Sequence, residues 1–84
     1  MDGPTLRSLY RALERYAGWL GRDRPSVAVR ACVHSLGAAI DARAETSGLL
    51  SELDTTISRL PGGEMRKMLR VTAGQIRRAL DEPS

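Results

Sequence analysis

The apolar residues of this 84-residue chain recur with helical spacing in four stretches, and short breaks rich in glycine, proline or small polar residues separate those stretches. Residues three and four positions apart lie on one side of an α-helix, so each stretch predicts an amphipathic helix. No segment alternates apolar and polar residues over more than a few positions, as a half-buried strand does. We therefore expect an all-α protein with helices over about 4–20, 25–44, 49–60 and 64–81.

The breaks between these segments predict how the helices are arranged. Pro4 and Pro25 suit the first turn of a helix, and Asp2 or Gly3 is a candidate N-cap for the first one. Ser47 is the candidate N-cap of the third helix. Connections of three or four residues favour antiparallel neighbours, so we expect residues 1–84 to form a single domain, a compact up-down-up-down four-helix bundle.

An alternative arrangement is a death-fold-like packing of six helices, in which the long segments are kinked. Glycine weakens a helix, so the kinks would lie at Gly18, Gly37 or Gly74. The sequence shows no internal repeat that would favour either arrangement.

The predicted second helix is apolar on two sides. Its larger face carries Val29, Cys32, Val33, Leu36, Ala39 and Ile40, and its second face carries the small residues Val27, Ala28, Ala31, Ala38 and Ala42. A helix that is apolar nearly all round is usually buried. We therefore expect this helix to lie centrally, or its second face to meet another helix at close range.

The composition predicts a small core that an oligomer or a partner supports. The chain has no Phe, one Trp and two Tyr, and large aromatic side chains bring the largest buried areas. Cys32 is the single cysteine and His34 the single histidine, so neither an internal disulfide nor a structural zinc site can form. Small domains without these supports often oligomerise, and we expect a homo-oligomer.

The sequence also predicts where the protein works. No apolar run reaches the length of a membrane span, and the first residues lack the pattern of a signal peptide. A lone thiol fits a reducing compartment, so we expect a cytoplasmic protein without membrane contact. Twelve arginines beside one lysine, with no asparagine, resemble the composition of GC-rich bacterial proteins.

The predicted fourth helix has two opposed sides. At about 100° per residue, one side collects apolar and small residues, which are Met65, Met68, Leu69, Thr72, Ala73, Ile76, Ala79 and Leu80. The other side carries only positive charges, which are Arg66, Lys67, Arg70, Arg77 and Arg78. We expect this basic side to face outward and to be the surface on which a partner binds.

One stretch resembles a known DNA-binding element. Residues 69–80, Leu-Arg-Val-Thr-Ala-Gly-Gln-Ile-Arg-Arg-Ala-Leu, are similar to the turn and recognition helix of GntR-type regulators. That resemblance implies a helix-turn-helix. The stretch departs from the pattern because Arg70 stands where the turn has glycine and Arg66 where a small buried residue belongs. A continuous helix accounts for every apolar position from 65 to 80 except Val71, so a continuous helix is the prediction.

No arrangement of residues indicates catalysis. Cys32 falls on the larger apolar face of the second helix, where burial makes a thiol inert. No pair of carboxylates, no cofactor motif and no set of metal ligands is evident, so we expect neither enzyme activity nor a cofactor.

The sequence therefore predicts a small interaction or adaptor module that self-associates or docks on a protein. Net charge is +3 over residues 1–30, −3 over 31–64 and +3 over 65–84, which permits contact between copies or with an acidic partner surface. Trp19, at the edge of the first helix, is a candidate interface anchor. The alternative is a nucleic-acid-binding protein, because five clustered cations suffice for phosphate contacts.

Overall fold

The structure is a computed structural model that describes residues 5–81. These residues form four α-helices and no strand: α1 Leu6–Gly18, α2 Arg24–Ala42, α3 Ser47–Ser58 and α4 Glu64–Asp81. The all-α prediction is confirmed. Within the described residues α2 and α4 run uninterrupted through Gly37 and Gly74, where the alternative arrangement needs kinks.

The helices contact one another in a closed ring. α1 lies against α2 and α4, and α3 lies against the same two helices, whereas the diagonal pairs do not approach each other in the described chain. The core inside this ring consists of aliphatic side chains from all four helices, and Leu13, Leu36, Leu53, Ile57, Leu69 and Ile76 are its largest fully buried members. Tyr10 and Tyr16 lie at its margin.

Local hydrogen bonds explain where the predicted helix boundaries differ from the structure. The N-cap of α1 is Thr5, whose Oγ1 accepts from Ser8 N–H at 3.1 Å, while the candidates Asp2 and Gly3 lie outside the described residues. The N-cap of α2 is Asp23, which accepts from the N–H and the hydroxyl of Ser26. These bonds hold the pKa of Asp23 below its ordinary value, because they stabilise the carboxylate.

The start of α3 corrects the assignment of Ser47 as its N-cap. Ser47 is the first residue of the helix, and Thr46 precedes it without making a side-chain cap. Both the N–H and the hydroxyl of Ser47 donate to Glu45 Oε1, at 3.0 and 2.7 Å, which lowers the pKa of the glutamate. Glu45 thus accepts a hydrogen bond from an N–H group in the first turn of α3, which has no partner within the helix.

The two helical hairpins repeat one another in structure. Each connection has the same backbone pattern, and the matched positions Leu13 and Leu53, Val29 and Leu69, and Leu36 and Ile76 are all fully buried. The carbonyl of Leu20 accepts from Arg30, and the carbonyl of the matched Leu60 accepts from Arg66. This duplication is evident in burial and hydrogen bonding, whereas few residues are identical between the halves.

α2 ends at a strained residue. Arg43 follows the helix with φ 56° and ψ 35°, the left-handed conformation that glycine adopts without a steric cost. Arg43→Gly is expected to raise the free energy of unfolding by about 1 kcal/mol, because it removes the clash between Cβ and the carbonyl oxygen. Chemical denaturation measures the change. Arg59, which follows α3 with φ −84°, is the matched control, and Arg59→Gly is expected to lower the stability. Equal effects of the two changes would refute the strain at Arg43.

Candidate partner-binding surfaces

The basic side of α4 is partly occupied by contacts within the chain. Arg77 forms a salt bridge with Asp54 at 3.5 Å, and Arg70 donates to Ser58 Oγ at 3.0 Å. The guanidinium of Arg66 is half-buried and donates to the carbonyl of Leu60 at 3.3 Å. Three of the five predicted partner-binding cations therefore bind α3 or the turn that follows it.

These contacts have a structural reason. A carbonyl in a helix connection needs a hydrogen-bond donor when it is partly buried. Leu60 and Leu20 each lie one residue beyond the C-cap of their helix, and their carbonyls accept from Arg66 at 3.3 Å and from Arg30 at 3.0 Å. The donors lie at different positions of α4 and α2, but each holds a hairpin connection, which gives Arg66 a structural role.

The remaining cations of α4 are widely separated. Lys67 and Arg78 are exposed and make no hydrogen bond or ion pair within residues 5–81. Eleven positions separate them along the chain, which is roughly 16 Å along a helix. α4 is also helical through residues 69–72, so the turn that the resemblance to GntR-type regulators implies is absent there, and Val71 is 53% exposed.

Trp19 is exposed, as an interface anchor must be. It caps the C-terminus of α1, its side chain is 62% exposed, and its ring lies 5.7 Å from the ring of Tyr16 at an interplanar angle of 56°. Trp19 borders a cleft of about 380 Å³ between the two hairpin turns, and Leu60, Pro61 and Met65 also line that cleft. Large aromatics in such positions are common contributors to interfaces.

Four of the five residues on the small-residue face of α2 are exposed and Ala28 is partly exposed, which corrects the expected central place of this helix. α2 contacts α1 and α3 and is no more central than the other helices. The small-residue face of α2 lies on its outer side and consists of Val27, Ala28, Ala31, Ala38 and Ala42. Val27 is 49% exposed, and no helix within residues 5–81 covers the face. The other apolar face packs into the core as predicted.

A groove joins the small-residue face to α3. Its floor is Pro25, Val27, Ala28 and Ala31, its volume is about 510 Å³, and Thr56 borders it. Three guanidiniums surround it, those of Arg22, Arg24 and Arg59, and none of them has a hydrogen-bond or ion-pair partner within the described part of the chain.

Sequence reasoning did not identify this cluster of arginines. Arg22 and Arg24 belong to the first connection and the start of α2, and Arg59 lies in the acidic middle of the chain. They come together because the start of α2 and the end of α3 line the same groove. The charge count along the chain could not show this, since Arg59 is distant in sequence from the other two arginines.

The only thiol of the chain is buried. Cys32 is 9% exposed, and burial raises the pKa of its thiol. The Thr56 hydroxyl lies 3.9 Å from Cys32 Sγ and also donates to the carbonyl of Leu53 at 2.8 Å. Among residues 5–81 no group of three or more potential metal ligands occurs. None of the four helices is both long and apolar enough to cross a lipid bilayer.

No known protein family, curated protein or solved structure matches this chain.

Proposed function

We propose that this protein is a non-catalytic interaction module whose up-down-up-down four-helix bundle self-associates through the small-residue face of α2. The antiparallel order is supported by three contacts between neighbouring helices: Tyr10 Oη with the carbonyl of Val33, Thr56 with Cys32, and Arg77 with Asp54. The proposed compartment is the cytoplasm, because the one thiol is free.

The exposed small-residue face is the observation that carries the proposal. α2 has 19 residues and is therefore roughly 28 Å long, and the face runs from Val27 to Ala42. Short side chains let a second helix approach closely, since interaxial distance depends on the side chains at the contact. Covering the face removes apolar surface from water, and each Å² of apolar surface buried contributes about 25 cal/mol of favourable free energy.

A second copy of the chain suits this face better than an unrelated acidic protein. A twofold axis places the same face on both copies, so the small residues of one α2 meet those of the other. The chain also carries both signs of charge beside the face, with Arg22, Arg24 and Arg59 near one end and Asp41 and Glu45 near the other. A self-complementary surface of this kind needs no second protein.

Analytical ultracentrifugation of the wild type and of Ala31→Glu tests the proposal. The wild type is expected to be a dimer that dissociates on dilution, and Ala31→Glu is expected to be a folded monomer, because the new carboxylate occupies the centre of the face. Gln75→Glu is the matched control, since it adds the same charge at an exposed position of α4. A wild type that stays monomeric at high concentration, or an Ala31→Glu variant that associates like the wild type, refutes the proposal.

Nucleic-acid binding is the second candidate function, and a gel-shift assay with DNA tests it. Only Lys67 and Arg78 on α4 lack intramolecular partners in the described residues, so we expect the basic side of α4 to contribute no binding of duplex or single-stranded DNA at moderate salt. Binding that weakens steeply with salt and is lost in Lys67→Glu with Arg78→Glu would favour the nucleic-acid function instead.

A further inference from the structure

The surface that α2 and α3 form together has three arginines at one end and two glutamates away from that end, while Asp23 caps the start of α2 among the arginines and Arg43 caps its end near Glu45. We call Arg22, Arg24 and Arg59 the basic end of this surface, and Glu45 and Glu52 its acidic half. Glu45 lies in the connection between the two helices, at the opposite end of α2 from Arg24. Glu52 is exposed on α3, on the same side of that helix as Thr56 and Arg59, and Thr56 contacts Cys32 of α2.

The groups of this surface are available to a partner. The three guanidiniums of the basic end have no partner within residues 5–81, and Glu52 makes no hydrogen bond or ion pair there. Glu45 accepts hydrogen bonds from Ser47 and keeps a lowered pKa, so it is ionised at neutral pH. The three arginines line the apolar groove, the two glutamates lie outside it, and within residues 5–81 no ion pair joins the two groups.

From this separation we propose that the second copy docks in one orientation, with its α2 antiparallel to the first, so that the basic end of each copy faces the acidic half of the other. This inference rests on the proposed self-association and adds its geometry. The small-residue face lies between the two charged regions and supplies the apolar centre of the contact.

Charge complementarity excludes the parallel alternative. A parallel pair with α2 on α2 has its twofold axis along the helices and would bring Arg24 of each copy against Arg24 of the other, and like charges across an interface are costly. The antiparallel pair has a twofold axis perpendicular to the helices, and this closed symmetry repeats every contact. Arg59 therefore faces Glu52 of the second copy, and Glu52 faces the second copy's arginine at the same position.

These charges determine orientation more than affinity. Exposed ion pairs contribute only about 0.2–1 kcal/mol each. The small-residue face therefore provides most of the binding free energy, and the basic end and acidic half determine how the two copies align. Because the symmetry makes each pair occur twice, reversing one charge replaces two attractions with two repulsions. A single reversal is expected to raise the dissociation constant about tenfold at low salt.

Charge reversal at Arg59 and Glu52 tests the orientation. Arg59→Glu and Glu52→Arg are each expected to weaken self-association about tenfold in sedimentation equilibrium at low ionic strength, and high salt is expected to reduce the difference. Circular dichroism verifies that each variant is folded. An equimolar mixture of the two variants is expected to form a dimer as tight as the wild type, because every facing pair in that mixed dimer is again of opposite sign.

The outcomes separate this inference from the proposed function. A wild-type dimer that both single variants leave unchanged overturns the antiparallel docking and leaves the self-association standing. A parallel pair with α2 on α2 would also be insensitive to Arg59→Glu, because its twofold axis would place the two copies of residue 59 on opposite sides of the contact. If the mixture of Arg59→Glu and Glu52→Arg does not recover dimerisation, residue 59 of one copy does not lie opposite residue 52 of the other. A wild-type monomer overturns both proposals.

Discussion

Leu53→Ala is expected to lower the free energy of unfolding by about 4 kcal/mol. Leu53 is fully buried at the centre of the ring, and removing a leucine side chain from such a site loses its transfer energy and leaves a cavity. The buried core contains no aromatic residue, so its strength comes from aliphatic side chains of this kind. A domain of this size has a total stability of roughly 5–10 kcal/mol, and the variant is therefore expected to lose about half of it.

Equilibrium unfolding in urea, followed by circular dichroism, measures this change. Val71→Ala serves as the control, because Val71 is 53% exposed and its loss is expected to change stability by less than about 0.5 kcal/mol. The repeated hairpins add a sharper comparison. Leu13 occupies in the first hairpin the position that Leu53 occupies in the second, and both are fully buried. Leu13→Ala is therefore expected to lower the free energy of unfolding by a similar amount. A loss below about 1.5 kcal/mol at Leu53 would contradict its place in the core.

Gly37→Ala is expected to destabilise the protein by about 1–2 kcal/mol, although alanine favours a helix by about 1 kcal/mol relative to glycine. A Cβ at position 37 would lie 2.5 Å from Cζ of Tyr10 and closer still to its hydroxyl oxygen. The tyrosine would have to move, and it would lose its 3.0 Å hydrogen bond to the carbonyl of Val33. Burial raises the pKa of Tyr10, as expected for a ring held against the helix surface.

The sign of this effect depends on Tyr10, and a double-mutant cycle can show it. In the Tyr10→Ala background no ring opposes the new methyl group, so Gly37→Ala is expected to stabilise the protein by about 1 kcal/mol. Gly74→Ala is the matched control, because Gly74 also lies inside a helix but a Cβ added there would meet no atom within 4 Å. Gly74→Ala is expected to stabilise the wild type. The close contact would be refuted if Gly37→Ala stabilised the wild type as much as Gly74→Ala does.

The position of Gly37 illustrates what periodicity cannot show. In the sequence it is a candidate for a kink in the second helix. In the structure it lies in an uninterrupted α2 and receives the ring of a tyrosine that is distant along the chain. No local pattern indicates this contact, because it depends on how two helices are rotated against each other.

The fourth helix shows how far local reasoning reaches. Its bounds and its buried side follow from periodicity alone, and Leu69, Thr72, Ala73 and Ile76 are buried as predicted. The direction of its positive charges was only partly predictable. Arg66 and Arg77 lie within reach of α3: Arg66 donates a hydrogen bond to the carbonyl of Leu60, just after that helix, and Arg77 forms a salt bridge with Asp54. Helical angles alone place all five cations on the outside.

The order of residues was enough to establish the helical class, the number of helices and the residues that each buries, because these follow from the spacing of apolar side chains and from breaks in that spacing. The packing of the four helices established which of two apolar faces of α2 stays uncovered, and which arginines are already bound. Both outcomes depend on the distances between residues far apart in sequence. Helix propensity and periodicity describe one helix at a time and contain no such distances.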